Sequence, residues 1–213
     1  MKHQLYYYPA NASLAPHLLL EEAGCEHELV LVDRKQERQK SAEYLRLNPN
    51  GRIPVLVSGE LVLFESAAIC LHIADLYPEA FLAPPPRTAA RAHFYKWLMF
   101  LTNTVQPSFM AFRYPEQYTT DPSQHEGVRQ AAVLQSARAF RVLEEALAEG
   151  PFLLGADYSA CDAYLYMLVW WAQRQAEPPS QLPNVRRCVR QVAARPATRR
   201  ACAVEGIELR FAD

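Results

Sequence analysis

The sequence predicts an α+β protein: strands and helices follow one another as βαβαββα over residues 1–80, and an all-helical part occupies 87–213. Three observations carry this expectation. The stretch YPEAFLAPPPRTAAR holds Pro78, Pro84, Pro85 and Pro86, and each proline removes a backbone donor, so neither a regular helix nor a central strand can cross it. A linker is placed at 81–86. Before it, short aromatic or apolar runs of strand length lie between helix-length segments. After it, apart from a few proline breaks, apolar residues recur at helical spacing.

The first strand is QLYYY, rich in aromatics, and Pro9 with Asn11 mark the turn that ends it. LAPHLLLEEAG at 14–24 reads as a helix, with Gly24 as its left-handed C-cap. ELVLV at 28–32 is a short, continuously apolar run of the kind buried in sheets. Strand, helix and strand within about 30 residues predict a βαβ unit with parallel strands. Ser41 to Leu47 form a short helix, stopped by Asn48-Pro49-Asn50-Gly51. IPVLV and LVLF, separated by Ser58-Gly59-Glu60, read as a β-hairpin, and SAAICLHIADLY at 66–77 as the closing helix.

In the second part a long helix is expected over 88–106, apolar on most sides and therefore covered on most sides. Pro107 and Pro115 are expected to break it. Another helix spans about 125–148, with Ala139, Leu143, Ala146 and Leu147 on one face. CDAYLYMLVWWAQRQ at 161–175 is apolar nearly all round and reads as the central helix of this part. Ser159 and Asp162 before it fit a capping box, a structural feature whose loss affects folding rather than chemistry. The last helices lie near 184–195 and 197–204.

Half of the 213 residues are hydrophobic, so a sizeable core is expected. The formal net charge of -1 lacks the basic excess of a nucleic-acid binder or a membrane-surface protein. No apolar stretch approaches the roughly 20 residues that span a bilayer. MKHQLYYYPAN has no apolar signal-peptide core, so a cytoplasmic location is expected. The cysteines, Cys25, Cys70, Cys161, Cys188 and Cys202, are odd in number and contain no C-x-x-C pair. Free, mostly buried thiols are expected, and no metal site.

Four features in order now resemble a known family: YYYPANASLAPHLLLEEAG, NPNGRIPVL, the pair Glu65-Ser66 opening a helix, and FLLGADYSACDAYL in the helical half. Together they are similar to the soluble glutathione S-transferases, most closely the bacterial members, over essentially the whole chain. The resemblance implies a thioredoxin-like first domain and a homodimer with a role in detoxification. It also implies a cis Ile53-Pro54 bond that turns the main chain of Ile53 towards the cysteinyl part of glutathione. Ser66, at a helix start whose free N–H groups favour an anion, would hold the γ-glutamyl carboxylate, and Glu65 the ligand's ammonium. A simple N-cap is the alternative for Ser66. Arg52 is the favoured cation for the glycyl carboxylate, with Arg34, Lys35 and Lys40 as competitors.

The chain departs from the bacterial class in the turn after strand one. There the class often has a cysteine where this chain has Ala12, and a later His-Lys pair is matched by Gln106-Pro107. A mixed disulfide with glutathione at this turn is therefore excluded. Stabilising the glutathione thiolate, whose thiol has a pKa near 8.5, would fall to Ser13 or Asn11. Tyr7 and Tyr8 are further candidates, of which at most one faces the site because strand side chains alternate, and burial is the role favoured for both. QPSFMAFRYPEQY at 106–118 concentrates Phe109, Phe112 and Tyr114 beside Arg113, an aromatic wall with one cation suited to a small hydrophobic electrophile, although core packing explains the aromatics equally well. Glutathione conjugation is the expected reaction. A glutathione-dependent disulfide reductase or isomerase, and a non-catalytic interaction protein on the same fold, are the rivals.

Overall fold

The computed structural model describes residues 2–173 and 178–212. They form two compact units: the chain up to Ala83 together with Ala193–Ala212, and Pro84–Val192. Against the expected division at 81–86, residues 193–212 pack with the first unit rather than with the helical part.

The first unit holds a four-stranded sheet of order β2-β1-β3-β4, with β1 at His3–Tyr7, β2 at His27–Leu31, β3 at Val55–Ser58 and β4 at Leu61–Phe64. The βαβαββα order is as expected, with α1 at Leu14–Ala23, α2 at Ala42–Leu47 and α3 at Ser66–Leu76. β1 and β2 run parallel, and β3 is antiparallel to both β1 and β4. Gly24 closes α1 in the left-handed conformation, at φ 61°. Here an L side chain would meet its own carbonyl, which is why glycine serves.

One local reading is corrected in this unit. β2 is not a buried strand: it is a sheet edge, and Leu31 is 57% exposed, because only β1 flanks it. Helix α1, by contrast, is buried at every position from Leu14 to Leu20, since both α3 and the last helix, at Pro196–Glu205, pack on it. That last helix, α9, is the element that returns to the first unit.

The second unit contains α4 (Ala89–Phe100), α5 (Gln106–Arg113), α6 (His125–Ala146), α7 (Ala160–Ala172) and α8 (Pro183–Ala194). Pro107 does not break the first of these. A π turn at Leu101–Val105 joins α4 to α5, with the Gln106 N–H donating to the Leu101 carbonyl, so the missing donor of Pro107 falls at the start of a new helical register, where it costs little. The helix ends at Arg113, ahead of Pro115. α7 is the central helix, buried at every position from Ala160 to Val169; the last two residues of the expected segment 161–175 lie outside the described residues. The capping box is formed: Ser159 Oγ accepts from a first-turn N–H and Asp162 Oδ2 accepts from the Ser159 N–H. Among the described residues no helix is long and apolar enough to cross a membrane.

Candidate functional site

Strand register brings the sequence motifs together. Tyr6 pairs with Val55 and Val55 with Phe64, so the segments just beyond those positions emerge at one end of the sheet. They are the turn after Tyr7, the Ile53-Pro54 peptide and Glu65-Ser66. The Ile53-Pro54 bond is cis. Tyr44 Oη and Asn48 Nδ2 both donate to the Arg52 carbonyl, at 2.8 and 2.7 Å, and anchor the chain as it enters this bond. Asn48, from the NPNG stop, thereby acts on the loop that follows it.

Ser66 Oγ donates to the Ala12 carbonyl at 2.8 Å, a bond across 54 residues that ties the start of α3 to the turn before α1. The Ser66 hydroxyl thus has a partner inside the protein, and the N-terminal main-chain N–H groups of α3 start at the same point. Two helix N-termini, those of α1 and α3, meet at this point, and both favour negative charge. Glu65, exposed and with no capping bond of its own side chain, sits at φ 75° and ψ 113°. A non-glycine residue held in this region costs roughly 1–3 kcal/mol, and such residues cluster at functional sites.

The turn itself is braced from within. Ser13 is fully buried, and its hydroxyl donates to the Tyr8 carbonyl at 3.2 Å and lies 3.4 Å from the Tyr8 N–H as acceptor. This hydroxyl closes the turn, and it does not cap α1 through its side chain. Asn11 is half-buried, and its Oδ1 accepts from the Ala12 N–H at 2.7 Å, which leaves the Nδ2 hydrogens for a ligand. Tyr7 is half-buried, and its phenol is pushed above its ordinary value by burial and by the nearby Glu205 carboxylate. Tyr8 packs against the cluster of Val32, Tyr44, Ile53 and Val55, with the Arg34 guanidinium 5.9 Å from its ring centre.

A residue that the sequence did not single out holds this turn from below. Glu205, in the last turn of α9, accepts from the Ala10 N–H at 2.9 Å through Oε2 and pairs with His17 Nδ1 at 2.9 Å through Oε1. Ala10 is in the left-handed region at φ 56°, so its N–H points away from the neighbouring turn bonds and towards α9. No sequence signal was available for this contact. A glutamate at a helix end and a histidine on an apolar helix face are each ordinary, and they lie 188 residues apart.

The competing cations are distributed as follows. Arg52 is exposed in the loop before Ile53; Lys40 is engaged with Glu37 at 2.6 Å; Lys35 follows Asp33, whose carboxylate accepts the Lys35 N–H. In the second unit, Phe109 is core, edge-on to Phe140, and is withdrawn from the expected second-substrate wall. Phe112 and Tyr114 are half-buried, and exposed Arg113 lies 5.4 Å from the Tyr114 ring centre. Gln106 accepts the Tyr164 hydroxyl proton and so serves the interior of this unit.

Comparison with known proteins places both parts of the chain in one family. Residues 1–75 match the glutathione S-transferase N-terminal domain and residues 126–190 the glutathione S-transferase C-terminal domain. Glutathione S-transferase GstA of Escherichia coli O157:H7 is 27% identical over 207 residues, covering 96% of this chain and all of the relative. The disulfide-bond oxidoreductase YfcG of Escherichia coli K12 is 29% identical over 204 residues, covering 92% and 93%. Among solved structures, a glutathione transferase from Methylococcus capsulatus superposes with a TM-score of 0.85 at 34% identity, covering 96% of this chain and 98% of that one. A glutathione transferase homologue from Sulfitobacter, solved with bound glutathione, reaches 0.89 at 25%, covering 97% and 99%. Sequence order, both domains and near end-to-end superposition coincide, and the chain belongs to the glutathione S-transferase family.

Proposed function

We propose that this protein is a cytoplasmic, homodimeric glutathione transferase that bonds the sulfur of glutathione to a small hydrophobic electrophile. The observation that carries the reading is the convergence of two helix N-termini, bound together by the Ser66–Ala12 hydrogen bond, beside the cis Ile53-Pro54 peptide. In this reading the N–H groups at the start of α3 hold the γ-glutamyl carboxylate and Glu65 holds the ammonium. The main chain of Ile53, positioned by Pro54, pairs with the cysteinyl part, and Arg52 meets the glycyl carboxylate. The bound glutathione of the Sulfitobacter homologue supports this class of ligand. Exposed Tyr95 and Met99 on α4 support a second copy of the chain as partner. Phe112, Arg113 and Tyr114 remain the side chains proposed for the electrophile.

Thiolate stabilisation is assigned to the Asn11 Nδ2 hydrogens, with the Ser13 hydroxyl, engaged with the Tyr8 main chain, as the alternative. The transfer needs the thiolate because a thiol is only a few per cent ionised at neutral pH. Each unit by which the site lowers the thiol pKa takes about 1.4 kcal/mol. Asn11→Ala is expected to raise the apparent pKa of bound glutathione, followed by thiolate absorbance, by about one unit, the worth of one hydrogen bond to a charged group. Ser13→Ala is expected to leave that pKa nearly unchanged and to lower stability instead. The reverse pattern would return the catalytic role to the Ser13 hydroxyl.

Calorimetric titration of reduced glutathione tests the whole assignment. One site per chain is expected in the micromolar to millimolar range, with binding abolished in Glu65→Ala. Absence of binding by folded protein at more than one temperature would leave an interaction protein on a transferase scaffold. A second reading, glutathione-dependent disulfide reduction, is favoured by the similarity to YfcG and needs no enzyme cysteine if two glutathiones bind together. Turnover of a model disulfide in place of an electrophile would establish it.

A further inference from the structure

One side-chain cluster in the first unit lies outside the glutathione assignment. His17 Nε2 is 4.0 Å and His27 Nε2 3.6 Å from the same Glu21 Oε1, and the three atoms all lie within 4.8 Å of one another. The other nitrogen of each ring is committed. His27 Nδ1 lies 3.0 Å from the Cys25 carbonyl, which can only accept, so this nitrogen carries the proton. His17 Nδ1 faces the Glu205 carboxylate at 2.9 Å, which selects the same tautomer. In their neutral forms both rings therefore turn an Nε2 lone pair towards Glu21.

His17 Nε2 is buried in a residue with no exposure and has no hydrogen-bond partner. A buried polar atom left unpaired is costly, on the order of 1–3 kcal/mol, and this one is aimed at two further metal-ligating atoms. Glu21 is itself oriented: Arg200 Nε donates to its Oε2 at 2.6 Å, leaving Oε1 for a ligand. Each of the three donors is thus held by a partner outside the cluster, Glu205, Cys25 or Arg200, in the way that outer groups orient metal ligands.

We propose that His17, Glu21 and His27 form a binding site for a divalent transition metal of the zinc class, with water as fourth ligand. Two imidazoles and one carboxylate suit zinc and exclude the all-oxygen preference of calcium and magnesium. Tetrahedral zinc with bonds of about 2.0–2.1 Å places its ligand atoms about 3.3 Å apart. Closing the present separations needs small movements of His27 and Glu21, whose side chains are 13% and 15% exposed and so can both move and admit the ion. His17 stays fixed by Glu205. The ion would fasten α1 to the start of β2, the edge strand, and a ligand that binds only the folded state stabilises it. This proposal stands whether or not the glutathione assignment does, since none of the three ligands is placed in that site.

The test uses the full-length chain without a histidine tag, stripped with a chelator. Zinc is titrated calorimetrically and cobalt(II) is followed by its visible d–d absorption. Wild type is expected to bind one zinc per chain with a rise in melting temperature, and cobalt with the intense bands of a four-coordinate site. His27→Gln is expected to weaken zinc binding by roughly tenfold or more and to abolish the cobalt bands, with its glutathione affinity and metal-free melting temperature unchanged. Glu21→Gln serves as the second variant should His27→Gln prove unstable, with the same expected loss of metal binding. Failure of wild type to bind zinc at micromolar concentration would overturn the proposal. So would equal affinity in the variants, which would assign the metal to the cysteine thiols.

Discussion

Glu205→Ala is expected to destabilise the protein by about 3–5 kcal/mol, the usual consequence of removing one partner of a buried polar pair, and to weaken glutathione binding by the folded fraction. The carboxylate has no side-chain exposure and serves two groups at once, the Ala10 N–H at 2.9 Å and His17 Nδ1 at 2.9 Å. Alanine takes this partner from the fully buried His17 ring and removes the bond from the Ala10 N–H. It also frees the left-handed turn at Ala10, on which the positions of Asn11, Ala12 and Ser13 depend. Glu205→Gln keeps an oxygen for the Ala10 N–H and is expected to lose much less. Denaturant unfolding of the three proteins, followed by calorimetric titration of glutathione, reads both effects. A loss under about 1 kcal/mol in Glu205→Ala with unchanged glutathione affinity would mean that the turn holds its shape without α9.

Asp162→Ala is expected to be as damaging to stability, with glutathione affinity unaltered in whatever remains folded. Asp162 is fully buried; Oδ1 accepts from the Leu153 N–H at 2.8 Å, and Oδ2 from the Ser159 N–H and hydroxyl at 2.8 and 3.0 Å. At roughly 1–3 kcal/mol for each buried group left unpaired, the loss is about 3–5 kcal/mol, or about 10 °C in melting temperature for a chain of this size. The residue also gives stability a pH dependence of known sign. Burial outweighs the hydrogen bonds it accepts and raises its pKa from 3.8 to about 6. Between those values the folded protein keeps a proton that the unfolded chain has released. The associated stability is full below about pH 4 and is lost as the pH rises through about 6. Wild type should therefore gain on Asp162→Asn between pH 7 and pH 5 in urea unfolding. A difference that does not change with pH would show that Asp162 does not titrate in this range.

Elements whose partners are local were legible. The capping box of Ser159 and Asp162, the Gly24 terminus of α1 and the hairpin at Ser58-Gly59-Glu60 each need only residues within a few positions. Pro107 misled because a proline removes a donor in any helix, whereas the π turn at Leu101–Val105 shifts the register so that the donor is not needed. β2 misled because an apolar run records strand propensity but not how many neighbours a strand has. Ser13 and Asn11 were both polar residues of the right turn, and their spacing could not say which would spend its hydrogen bonds on the backbone. In the structure the Ser13 hydroxyl bonds the Tyr8 carbonyl, and Asn11 engages the backbone through Oδ1 alone.

By itself the sequence determined the family, the βαβαββα order, the helical second part and the segments that meet at the end of the sheet. The order of elements follows from periodicity and turn chemistry, which are written locally, and the family from the resemblance of four motifs in order. Only the tertiary structure decided how the turn is held. The Ser66–Ala12 bond spans 54 residues and the Ala10–Glu205 bond 195, and the same packing of α9 on α1 orients His17 towards Glu21 and His27. Such pairings depend on which helix covers which face, a choice made by burying the apolar surface of the whole unit, and no window of neighbouring residues contains it.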